Sequence, residues 1–133
     1  MKAKLPLIAR IIFGFIFFAS GLMGLIMTIK GTPPPEGLPE KLVAFNTGLA
    51  ATGYFMYLLK ITETVCGLLI LTGNFVPLAL VVIAPVTLNI FMVHAFMAPS
   101  GLPLALILGL LQIYLAFFAP PYAPVIKQLF RRK

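Results

Sequence analysis

Charge is scarce in this chain: of its 133 residues only 10% are ionic, three of these are acidic, and there is a single histidine. Soluble domains carry about 25% charged residues, so a water-exposed globule of this composition would lack polar surface to cover itself. Apolar residues make up 61%, more than a domain of this size can bury, because small domains leave a large share of their surface in the solvent. That solvent is therefore lipid. Cysteine is equally scarce. Cys66 alone excludes an intramolecular disulfide, a CxxC redox pair and a thiolate-based metal cluster. No soluble-enzyme motif, haem-ligand pair or flavin motif occurs, so no metal and no covalently bound cofactor is expected. The formal charge of +7 does not read as a nucleic-acid footprint, because Lys2, Lys4, Arg10, Lys127, Arg131, Arg132 and Lys133 lie at the two ends of the chain rather than on one folded face. No nucleic-acid partner is expected.

Long hydrophobic runs are what is present. Ile11 to Ile29 is a stretch of 19 residues with no ionisable side chain, enough at about 1.5 Å per residue to cross a hydrocarbon core of roughly 30 Å. A cleaved signal peptide is the rival reading, but the apolar run continues eight residues beyond the small triplet Ala19-Ser20-Gly21. Lys30 to Lys41 holds four prolines and two glycines, which breaks any helix and belongs in water or headgroups. Leu42 to Gly53 is too polar and too short to span and reads as an interfacial helix or lid. Between Glu63 and His94 lie 30 uncharged residues, more than one span needs, and Gly73-Asn74 marks the turn. The expected fold is an all-α membrane protein. It is a single domain over 1–133, a bundle of four transmembrane helices at about 7–29, 54–72, 75–96 and 104–119, with a short external interfacial helix after the first. Seven basic residues flank the termini, against Lys30 and Lys41 in the first loop. The positive-inside rule then places both termini in the cytoplasm and the chain, multi-pass, in the plasma (inner) membrane.

An ionisable or amide side chain within a span is costly and marks a candidate site. Lys60 and Glu63, three apart on one helix, share a face and can form an ion pair. Counted from the outer helix ends at about 1.5 Å per residue, Lys60, Glu63, Asn89 and Gln112 fall roughly 9 to 13 Å deep, with His94 nearer the surface. Convergence of three helices in the outer half is therefore expected, with Tyr57 either in an interface belt or lining the same pocket. Pro85, one turn below Asn89, removes a helical hydrogen bond and frees a carbonyl near Val81. The bland alternative is that these polar groups only tie helices together. Ser20-x-x-x-Gly24 and Ala105-x-x-x-Gly109 have the spacing for close helix contact within the chain.

Leu7-Ile-Ala-Arg10 leading into Phe18-x-x-Gly21, Glu63-x-x-x-Gly67 with a Leu-rich run to Gly73, and Asn89 with His94 resemble the DoxX family of small four-helix bacterial membrane proteins. Members often carry a lysine shortly after the span-one glycine, where this chain has Met23-Gly24, so Lys60 is expected to replace that charge. The resemblance implies links to thiosulfate:quinone oxidoreduction or to membrane redox complexes resisting oxidative stress, although many members have no assigned activity. More distant four-helix relatives bind sterol-like ligands, and sterol isomerases of similar architecture protonate a double bond.

Three readings stay open at this level. One is a quinone- or lipid-binding subunit of a membrane redox system, with a redox partner protein. In it, Glu63, Lys60, Asn89, His94, Gln112 and Tyr57 would face a small hydrophobic ligand such as a quinone or sterol-like lipid. Another is a sterol-isomerase-like enzyme using Glu63 as acid/base. The third is a non-catalytic scaffold or accessory protein.

Overall fold

A computed structural model describes residues 4–31, 37–97 and 99–130. The proline run Pro33-Pro34-Pro35 lies outside the described residues. Six α-helices are present among the described residues: α1 (Leu5–Lys30), α2 (Glu40–Ala51), α3 (Phe55–Thr72), α4 (Val76–Phe96), α5 (Leu102–Ile113) and α6 (Ala123–Lys127). There is no strand among them. Four segments, Leu5–Lys30, Phe55–Thr72, Val76–Phe96 and Pro99–Phe118, are long and apolar enough to cross a membrane. The chain is thus a four-helix membrane bundle, with α2 as the extra short helix after the first span.

The helix boundaries follow local chemistry. Pro6, Pro77 and Pro103 sit in the first turns of α1, α4 and α5, where a missing N–H costs nothing. Gly73 closes α3 in the left-handed region at φ 85° and donates its N–H to the Leu69 carbonyl at 3.0 Å, a conformation that penalises a side chain. The fourth span departs from the expected boundaries. It runs from Pro99 to Phe118 with its α-helical part starting at Leu102, and after Ile113 its last turn, Tyr114–Phe118, is π-helical. The Ala119 N–H closes that wide turn on the Tyr114 carbonyl at 2.8 Å. Pro120 and Pro121 end it as expected, but the chain then resumes as α6, with Pro124 in the permitted first turn. Helix α4 runs without interruption through Pro85.

The most extensive packing is between α1 and α3, and glycine makes it possible. A Cβ on Gly14 would stand 2.6 Å from the Leu71 backbone nitrogen, and one on Gly67 would overlap the backbone of Phe17 and Phe18. The helices therefore touch backbone to backbone, the close approach on which membrane packing depends where no hydrophobic force draws helices together. The glycines in this seam are Gly14, Gly21 and Gly67, whereas Ser20 is exposed and Gly109 faces open space. Phe13 and Phe17, with ring centroids 4.9 Å apart, lie inside with Ile70, Leu80, Ile83 and Leu115. The opposite sides of the helices present apolar residues such as Phe15, Leu58, Leu78 and Leu110, as a lipid-facing surface requires. Arg10 reaches across to Gly73, so the start of α1 and the end of α3 share one end of the bundle. The other end carries α2.

Candidate functional site

At the α2 end, α1, α3 and α4 enclose a cavity of about 560 Å³ that α2 covers. Its polar lining is concentrated on α3 and α4: Lys60 and Glu63 from the former, Asn89 and His94 from the latter. Three-residue spacing brings the first two together, and Lys60 Nζ lies 3.1 Å from Glu63 Oε2. Glu63 is only 4% exposed, and Oε2 makes no hydrogen bond despite the ion pair. The close approach is a Coulombic contact without hydrogen-bond alignment, and the buried oxygen keeps its acceptor capacity. Thr64 is turned away from this carboxylate, giving its hydroxyl hydrogen to the Lys60 carbonyl at 2.7 Å.

Lys60 also crosses to the neighbouring helix. A Cβ on Gly24 would come within 2.7 Å of its Cδ and Cε, so the lysine stem fills the space that a side chain from α1 would take there. The ammonium is thus supplied to the α1 side of the cavity from α3.

On α4, His94 Nδ1 is 2.8 Å from the Ile90 carbonyl. A carbonyl can only accept, which assigns the proton to Nδ1 and leaves Nε2 for other contacts. The ring is held from outside by Gly101, where any Cβ would overlap it. Asn89, five residues earlier and half-buried, makes no side-chain hydrogen bond among the described residues. Both the carbonyl and the NH2 of its amide are available to a guest.

Two expected members stand elsewhere. Gln112 is buried at 8% exposure, but on the far side of α4, where its Nε2 donates to the Leu80 carbonyl at 2.8 Å. Depth along the membrane normal fixes one coordinate only, and the position of α5 around the bundle sends this amide away from the cavity. The carbonyl it meets adjoins that of Val81, for which Pro85 supplies no N–H. Tyr57 is 39% exposed on the outer surface of α3 and does not line the cavity. It precedes Glu63 by six residues, about 120° around a helix. Conversely, Asn46 and Thr47 of α2 and Thr28 of α1 line the cavity and were not anticipated. The signal was the polarity of the segment 42–53, which explained why it cannot span but also places an amide over the mouth. Among the described residues no group of three His, Cys, Asp or Glu side chains could hold a metal ion.

A bundle of membrane-crossing helices with a roofed, partly polar hollow at one end defines a class: small multi-pass helical membrane proteins. The chain belongs to the DoxX family, whose model matches residues 5–95, from the start of α1 to nearly the end of α4 and therefore across every helix that walls the cavity. No curated protein and no solved structure matched in the corresponding comparisons.

Proposed function

We propose that this protein is a quinone- or lipid-binding subunit of a membrane redox system, seated in the plasma (inner) membrane with both termini cytoplasmic. The cavity under α2 holds the head group of the ligand. The observation that carries the reading is the buried Glu63 carboxylate with an unbonded Oε2, paired with Lys60 and facing Asn89 across a hollow of about 560 Å³. Helix glue satisfies its members mutually, whereas this set keeps donors and acceptors to spare. A quinone ring needs a hydrogen-bonding group at each carbonyl and an apolar slot for its tail. Lys60 and Asn89 offer the first, and Met27, Leu59, Val86 and Ile90 offer the second. The volume lies within the range of small-molecule sites. Electrons are exchanged with a redox partner protein, since the single Cys66 cannot cycle as an intramolecular disulfide.

Mass spectrometry of molecules co-purifying in mild detergent tests this. The wild type is expected to carry a quinone or lipid of defined mass, depleted in Glu63→Gln and His94→Ala while both variants stay monodisperse. Equal occupancy in wild type and variants, or an empty wild type, overturns the reading.

A further inference from the structure

A second hollow, of about 570 Å³, runs between α4 and α5 on the other side of the bundle. Its walls are largely apolar, with Leu88 and Phe91 on one side and Leu106, Leu110 and Ile113 on the other, and the small residues Ala84 and Gly109 among them. Thr87 and Gln112 are the polar side chains in its lining. The Thr87 hydroxyl is used by its own helix, donating to the Ile83 carbonyl at 3.2 Å. Gln112 is different. Its Nε2 is committed to the Leu80 carbonyl at 2.8 Å, and its Oε1 is buried with no hydrogen-bond partner. The orientation of the amide is not interchangeable, because reversing it would set two acceptors against each other. An orphan acceptor at this depth, ten residues into a membrane-crossing segment, has no bulk water to turn to.

From this geometry we propose that the α4–α5 groove is a second ligand site, distinct from the cavity under α2, and that it takes a lipid alcohol: an apolar chain along the groove with its hydroxyl donating to Gln112 Oε1. The chemistry selects the occupant. An acceptor calls for a donor, the lining supplies no free one because the Thr87 hydroxyl is committed to its own helix, and a plain acyl chain would leave the oxygen unsatisfied. A second copy docking by the same face is disfavoured, since the exposed residues around the groove, Leu88, Leu106, Leu110 and Ile113, are apolar and bring no donor.

The test uses the full-length protein in lipid nanodiscs, photolabelled with a diazirine-bearing hexadecanol or with its methyl ether, which keeps the chain and loses the donor. Cross-links are mapped by mass spectrometry. The alcohol is expected to label α4 and α5 residues of the groove several-fold to about tenfold more than the ether, the discrimination of one buried hydrogen bond. Gln112→Met, of similar volume, removes that preference. Gly109→Phe, at a position with open space beside it, fills the groove and abolishes labelling by both probes, which also covers the case that Gln112→Met does not fold. Equal labelling by alcohol and ether, or a preference that survives Gln112→Met, overturns the proposal. Cross-linking of two copies through a cysteine at position 109 overturns it in favour of a dimer interface.

Discussion

At Glu63 the membrane makes a single carboxylate consequential. Its oxygen sits 3.1 Å from Lys60 Nζ, and losing either partner strands the other charge in a poorly solvated place, which costs more than losing both. Glu63→Gln and Lys60→Met are each expected to destabilise the protein by about 1–3 kcal/mol, toward the lower end because the Lys60 side chain is 24% exposed. The double variant should recover part of that loss. Thermal unfolding in detergent measures all three, and strictly additive losses would mean that the two groups do not act as a unit. His94 offers a second residue-scale test through a neighbour that touches no ligand. Because any Cβ on Gly101 overlaps the imidazole, Gly101→Ala should rotate the ring and weaken quinone binding several-fold while leaving stability nearly unchanged. Unaltered binding would free His94 of a role in the site.

Among the elements, the α1–α3 seam is the most demanding, since Gly67 lies against the backbone of Phe17 and Phe18. Backbone cannot yield as a side-chain tip can, so Gly67→Ala must push the helices apart, at a cost of roughly 1–3 kcal/mol for overpacking. Gly48→Ala in α2, with open space around it, should be neutral or stabilising by up to about 1 kcal/mol through helix propensity. Equal unfolding temperatures for the two variants would contradict the seam. The extent and order of the spans were legible from the sequence because hydrocarbon thickness and proline placement are one-dimensional constraints. The pairing of Lys60 with Glu63 was legible for the same reason, being local to one helix. Which glycines meet which helix was not, nor was the separation of Gln112 from Asn89. Both depend on the rotation of helices about their axes, and a helix that is apolar nearly all round carries little signal for it. The second hollow was invisible for that reason, and α6 was missed because Pro120-Pro121 stops one helix without forbidding another three residues later.

At the scale of the whole molecule, orientation decides which compartment the cavity meets. In the proposed orientation, with the basic termini cytoplasmic, α2 lies outside. In a Cys66→Ala background, Lys41→Cys on exposed α2 should react with an impermeant thiol reagent in whole cells, and Gln128→Cys at the opposite end should not. The reverse pattern would turn the cavity toward the cytoplasm. Helix α2, which contributes residues to the cavity lining, buries none of its residues and is flanked by Gly37 and Gly53, both at φ 84°. It is the α-helix least secured by packing, and under the proposed function the one expected to give way to a guest. The proposed function of the whole molecule rests on that guest. Isothermal titration of the detergent-solubilised protein with decylubiquinone addresses it most directly. One quinone should bind per chain, with Kd weakened about tenfold or more in Glu63→Gln and Asn89→Leu and unchanged in Ser20→Ala on the exposed side of α1. Absence of binding to the wild type, or the same Kd in all four proteins, would contradict the account.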